Sequence, residues 1–242
     1  MKQESMLAVP GDSHTLFPQF AFTFRYRDWP FDKKLIMDAI YDSVDKQEKD
    51  IDSDIAPNAK TKGLKESKFD FVDRGDEYPV LDKVKNFFEQ AVLEVVHHAL
   101  PHEGKEYEMP FGLDVECVIQ DSWYHVTNDL GSHGVHSHGG SSWSGIFYIN
   151  TKECDIDTGN GINKFYNVHS VNGQGDAGSM WYTQNNVFSL QPKEGMLIVF
   201  PSWIHHDGTA YQGKEDRVLI SFNSVVLPAE EVNAMRSYDE SK

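Results

Sequence analysis

Cysteine is scarce in this sequence. Cys117 and Cys154 are the only two among 242 residues, too few for a cysteine-built zinc knuckle or a disulfide-stapled fold. They could bridge each other only if the fold brought their Cα atoms within about 7 Å, so two unpaired, buried thiols in a reducing, cytoplasmic setting are expected. No apolar run reaches the roughly 18 residues that mark a membrane helix, and no leader-peptide pattern is seen. Basic residues are outnumbered as well: 22 Lys and Arg stand against 38 Asp and Glu, a formal net charge of −16. A field of that sign repels phosphate backbones and anionic membrane surfaces, so neither nucleic acid nor a membrane is an expected partner. One or two arginines in a cleft can still hold an acidic ligand, because such contacts act at short range. Internal repeats, low-complexity tracts and the HExxH metal motif are also absent.

What is present is the composition of a folded chain, with 39% hydrophobic and 12% aromatic residues. The length suits one core, so a single domain over 1–242 is expected. It divides into N-terminal helix and strand support (1–110), a β core (111–226) and a C-terminal tail (227–242). An arm over the first residues leads to Phe20, Phe22, Phe24 and Tyr26, which alternate with polar or small residues as in a strand. After Asp32, the residues Leu35, Ile36, Ile40, Tyr41 and Val44 share one helical face. Residues 48–79 read as a long connection with one short strand near Phe69 and Phe71. From Val80 to Leu100, apolar residues recur at three and four until Pro101 stops them, which predicts a second helix.

Beyond residue 111 the period changes to that of strands. Segments at Leu113–Ile119, Trp123–Val126, Ser144–Asn150, Phe165–Val168, Asn186–Gln191, Met196–Phe200 and Val218–Val226 predict a mainly β jelly roll buttressed by the N-terminal helices. The Gly- and Asp-rich stretch Lys152–Thr183 is expected to be an irregular excursion over one face. Its acidic residues Glu153 to Asp157, with Asp176, would favour a basic or neutral substrate. Aromatic N-terminal strands would offer a homodimer surface.

Eleven histidines occur, and most need no special role. Spacing singles out His133, His136 and His138, in a Gly-rich segment just before the strand at 144. Residues i and i+2 of a strand share a face, so His136 and His138 can aim two imidazoles at one point. A second pair, His205 and His206, follows the apolar strand Met196–Phe200, and a β-sandwich can bring two such strand ends together. Arg217, eleven residues after His206, opens the strong strand Val218–Asn223; its planar fork suits a carboxylate ligand. The bland alternative is a surface ion pair with Glu215 or Asp216.

Together these segments resemble the iron(II) and 2-oxoglutarate-dependent oxygenases, and within them a bacterial and phage subgroup. The resemblance is carried by Ser122-Trp123, by His136-Ser137-His138-Gly139-Gly140-Ser141 leading into Ser144–Ile149, by Gly195–Phe200 with Pro201-Ser202-Trp203-Ile204-His205-His206, and by Arg217–Asn223. It implies a double-stranded β-helix, with His136 and His206 binding iron(II) and Arg217 clamping the distal carboxylate of 2-oxoglutarate. A histidine three residues after the tryptophan favours His206 over His205, which becomes a supporting group. The reaction implied is hydroxylation of a small-molecule or peptide substrate with release of succinate and carbon dioxide.

Two positions depart from the family pattern. His138 stands where a carboxylate is usual, which leaves open a three-histidine site or a site completed by a carboxylate elsewhere. Leu219 stands where many relatives carry serine; Ser221, on the same face, is the expected substitute, with Tyr124 or Tyr148 as further hydroxyl donors. Trp143, Phe147 and Trp203 are candidates to line a dry pocket or to belong to the core. Two rivals remain: a cupin-like metal-binding isomerase or sensor, and a non-catalytic phage-associated jelly roll. The first lacks its usual glutamate, with Ser142 and Trp143 in those places, and gives Arg217 no task.

Overall fold

The computed structural model describes residues 20–47, 63–99, 114–167 and 186–239. Residues 1–19, 48–62, 100–113 (with Pro101 and Leu113), 168–185 (with Asp176) and 240–242 lie outside that set. Two helices come early: α1 at Trp29–Gln47 and α2 at Val80–Ala99. On α1, Ile36, Ile40 and Val44 are buried at steps of four, while Leu35 turns to solvent. On α2, Leu81, Val84, Phe88, Ala91, Val92 and Val95 form the buried stripe.

Among the described residues, ten strands make two antiparallel sheets. The first, in the order β1-β8-β5-β10-β3-β2, comprises Phe22–Arg25, Met196–Pro201, Trp143–Asn150, Arg217–Pro228, Val115–Thr127 and Leu64–Glu66. The second, β4-β9-β6-β7, comprises Gly131–His136, His205–Tyr211, Asn163–Tyr166 and Val187–Ser189. This mainly β architecture, with helices packed on one sheet, is the jelly roll expected from the strand pattern.

Strand alternation sorts the core into two layers. Val218, Ile220 and Phe222 of β10, with Phe147 and Ile149 of β5, Leu197 and Val199 of β8, and Tyr124 and Val126 of β3, face α1 and α2. Their neighbours Leu219, Ile146, Tyr148, Ile198 and Phe200 face the other way, towards Phe165 of the second sheet. Phe147 is the hub of the helix side: its ring lies 5.9, 5.7, 5.6 and 5.7 Å from those of Tyr26, Trp29, Phe87 and Phe88. Beside it, a Cβ on Gly145 would come within 2.2 Å of the Phe222 ring. Aromatic packing therefore requires glycine at that point of β5.

Four features differ from expectation. The segments expected around 113–119 and 123–126 merge in one long strand, β3, paired along its length with β10 across a bulge at Asn223/Ser224 that leaves Gln120 without a cross-strand partner on β10. Strand β9 has an unpromising sequence, HHDGTAY, and is held by β4 and β6 on either side. The short strand of the 48–79 connection is Leu64–Glu66, whereas Phe71–Asp73 forms a 3-10 turn. The supposed tail folds as helix α3, Ala229–Asp239, with Val232 buried. Both cysteines are free and buried, as expected. No described helix is long and apolar enough to cross a membrane.

Candidate metal and carboxylate site

A cavity of about 410 Å³ opens between the two sheets. Its walls come from the side of β3 and β10 that faces away from the helices, through Trp123, His125 and Thr127, and Arg217, Leu219, Ser221 and Asn223. The second sheet supplies His133, His136, Asn163, His206 and Asp207.

His136 and His206 are cross-strand partners on β4 and β9, and Phe165 of β6 flanks His206 from the other side. Their ring centroids are 4.3 Å apart. His138 lies just past β4, where its backbone N–H donates to the Ser202 carbonyl at 2.9 Å and turns the imidazole towards the pair. The metal-competent atoms of His136, His138 and His206 all lie within 4.8 Å of one another. His138 thus joins the cluster through a loop bond to the β8–β9 turn, and not by the strand alternation expected from the HxH spacing.

Tautomers in this cluster suit metal binding. His206 Nδ1 donates to the Ile204 carbonyl at 3.0 Å, and His136 Nδ1 to the Gly134 carbonyl at 2.8 Å. Each Nε2 keeps its lone pair for an ion, the usual way a backbone carbonyl fixes a ligand histidine. Burial, and then the neighbouring imidazole of His136, push His206 down to about 3 and His138 down to about 4. Burial also lowers His136. Three neutral imidazoles converging on one point are what a borderline divalent cation needs; a thiol-preferring or all-oxygen ion is poorly served.

Arg217 is the cavity's deep cation. It is 3% exposed and forms no ion pair among the described residues; Glu215 is taken by Lys152, and Asp216 accepts from Tyr41 and Asn128. One terminal nitrogen of Arg217 donates to Asn163 Oδ1 at 2.7 Å, and its buried Nε has no partner. The same Asn163 oxygen accepts from the Tyr148 hydroxyl at 3.0 Å, while Asn163 Nδ2 donates to the Asp207 carbonyl. A buried guanidinium held by a neutral amide, with a donor to spare, is matched to an anionic ligand entering from the cavity.

Of the other residues singled out in the sequence, Ser221 lines the cavity. Tyr148 reaches it only through Asn163. Tyr124 does not reach it: it faces the helices, against Phe71 at 5.0 Å, because it alternates with Trp123 and His125 on β3. Phe147 is core on the helix side, Trp143 packs there too, and Trp203 is 55% exposed. His205 is exposed, on the opposite face of β9 from His206. Asn163 and Glu66 went unnoticed, and Trp123 and Asn223 were named only as parts of longer segments, since single polar residues in short strands carry no spacing signal. Asn163 could have been suspected only from its place beside the apolar Phe165.

Residues 121–223 match the sequence model of the family described as "Putative 2OG-Fe(II) oxygenase". No curated protein matches the chain in sequence. Among solved structures, the chain is similar to the non-heme alpha-ketoglutarate-dependent carbocyclase SnoK from nogalamycin biosynthesis, at TM-score 0.56 and 10% identity, over 85% of this chain and 79% of that one. It is more loosely similar to the viral collagen prolyl hydroxylase of Paramecium bursaria Chlorella virus-1, solved with 2OG, at TM-score 0.48 and 10% identity, over 85% and 96%. At such identity the likeness is one of fold.

Proposed function

Because residues 121–223 match the sequence model of the 2OG-Fe(II) oxygenase family, we propose that this chain is an oxygenase that binds iron(II) through His136, His138 and His206 and grips the distal carboxylate of 2-oxoglutarate with Arg217. The observation that carries this reading is the buried Arg217, hydrogen-bonded to Asn163 and to the Cys154 thiol, with no carboxylate partner among the described residues and with Nε unsatisfied. The donor chemistry also fits: three neutral imidazoles leave coordination positions for a chelating 2-oxo acid and oxygen. When bound, iron and 2-oxoglutarate would use dioxygen to hydroxylate an unactivated carbon, one oxygen atom going to the substrate and the other to succinate, with carbon dioxide released.

The residues of the chain bind and orient. Asn163 holds the Arg217 fork in place and is itself steadied by Tyr148 and the Asp207 carbonyl. Ser221, one pleat along from Leu219, offers a hydroxyl on the same wall. Ile146, Leu219 and Phe200 exclude water from the floor of the cavity. Glu66, Asp121 and Asp207 line the cavity too, so a neutral or cationic small molecule or peptide is the favoured substrate class. Free, buried thiols suit a cytoplasmic setting. The cupin-like alternative leaves Arg217 without a ligand.

The test is anaerobic titration of metal-free protein with iron(II) and 2-oxoglutarate, followed by the visible charge-transfer band of a chelated 2-oxo acid. The expected band needs both components and is lost in Arg217→Ala at 2-oxoglutarate concentrations that saturate the wild type. Metal binding without any band would sink the oxygenase reading.

A further inference from the structure

A second trio of donors shares the cavity wall. Glu66 closes β2, His125 lies directly across from it on β3, and His133 stands on β4. Three strands thus each deliver one donor to a common point, and the donor atoms all lie within 4.8 Å of one another. Glu66 and His125 are each only 9% exposed, and the His125 and His133 rings stack at 5.5 Å.

The contacts at His125 conflict with one another. Its Nε2 lies 3.0 Å from the indole nitrogen of Trp123, a donor, and 3.1 Å from Glu66 Oε2, an acceptor. A nitrogen that accepts the indole proton meets the carboxylate lone pair to lone pair; one that carries a proton for Glu66 meets the indole donor to donor. A cation shared by Nε2 and Oε2 removes the conflict with the carboxylate, and the indole N–H then gives up Nε2 as its acceptor. Two ligands at right angles about one ion, with bonds of about 2.1 Å, lie about 3 Å apart, which is the spacing found.

We propose that Glu66, His125 and His133 hold a second divalent transition-metal ion in this cavity, beside the three-histidine cluster. Two imidazoles and a carboxylate suit iron(II), zinc or a neighbouring divalent metal. His133 and His136 belong to different trios, yet their Nδ1 atoms lie 3.0 Å apart and both approach the Gly134 carbonyl, at 3.3 and 2.8 Å. Occupancy of one position is therefore felt at the other. Glu66 is the one anionic ligand of the two trios, so it places negative charge beside a centre whose own protein ligands are all neutral. The second ion does not depend on 2-oxoglutarate.

Equilibrium dialysis of the metal-free full chain against cobalt(II), with bound metal counted by elemental analysis, tests the proposal. Two ions per chain are expected in the wild type, one in Glu66→Gln, one in His206→Gln, and none in the double variant. A wild type that saturates at one ion overturns the proposal, as do two ions retained in Glu66→Gln. His133→Gln, at a half-buried position, should also bind one and replaces Glu66→Gln if that variant does not fold by circular dichroism. The charge-transfer titration separates the two readings. A band that persists in Glu66→Gln while one ion is lost supports both, whereas two cobalt ions with no band in the wild type would remove the oxygenase assignment and leave the second site standing.

Discussion

Arg217 and Asn163 are joined by a 2.7 Å hydrogen bond at the floor of the cavity, between the first strand residue of β10 and that of β6. The bond links the two sheets, and it makes the anion-binding donor depend on a neutral amide that also receives the Tyr148 hydroxyl. Asn163→Ala should therefore leave Arg217 in place but poorly aimed. Weaker 2-oxoglutarate binding, by roughly tenfold, is expected with iron affinity little changed, together with about 1–3 kcal/mol of lost stability from two orphaned donors. Calorimetric titration of 2-oxoglutarate and a urea unfolding curve read the two effects, and an unchanged 2-oxoglutarate affinity would count against the positioning role.

The three-histidine cluster makes a paired prediction. His206→Ala removes the most buried of the three ligands and should abolish the iron(II)–2-oxoglutarate band. His138→Asp should keep or strengthen it, because the loop bond from the His138 backbone to Ser202 is independent of the side chain and the new carboxylate completes a two-histidine, one-carboxylate set. Loss of iron from His138→Asp, with its fold intact, would show that position 138 is not a ligand position.

Acid should destabilise the metal-free protein in a defined window. Folded His206 and His138 titrate at about 3 and about 4 because burial opposes their charge, while the unfolded chain takes up those protons near the ordinary value of 6.5. Above that value neither state binds them, and the contribution to stability does not vary with pH. Below it the unfolded state binds more protons, so stability is lost progressively as pH falls from 6.5 through the folded values. Urea midpoints measured from pH 7.5 to 4.5 should fall on acidification, and His206→Gln should flatten the slope. An equal slope in that variant would contradict the assignment.

Gly145→Ala should be destabilising through the helix side of the sheet, although Gly145 also borders the cavity. The added Cβ meets the Phe222 ring at 2.2 Å, and Phe222 is itself stacked on Phe88 at 4.5 Å, so the ring has no easy retreat. A loss of about 1–3 kcal/mol is expected for overpacking of this kind, read as a lower melting temperature with the iron(II)–2-oxoglutarate band preserved at low temperature.

Much of this was legible in the chain itself. Helix α2 could be bounded almost to the residue, because a long stripe at three and four is a strong signal; the strongly apolar strands β5, β8 and β10 stood out by composition. The candidate histidines and Arg217 were visible because each lies close in the chain to such a strand. Less visible were β4 and β9, built from glycine, histidine and small polar residues, whose extended form comes from pairing with their neighbours and not from propensity. Tyr124 was misjudged for a related reason: it is next to Trp123, and only the register of β3 on β10 says which of two adjacent side chains faces the cavity and which faces the helices.

By itself, then, the sequence determined the mainly β class, the buttressing helices, the free thiols and a short list of candidate metal and carboxylate ligands, since these follow from periodicity, composition and spacing along the chain and from the family resemblance they carry. Only the tertiary structure decided that Arg217 turns inward to Asn163 while Glu215 and Asp216 go to Lys152 and to Tyr41 and Asn128, that His138 is carried into the cluster by a loop, and that Glu66, distant in sequence, meets His125 and His133. The physical reason is that a strand's pleat offers each residue two faces, and which face is the cavity is set by pairing between segments far apart in the chain.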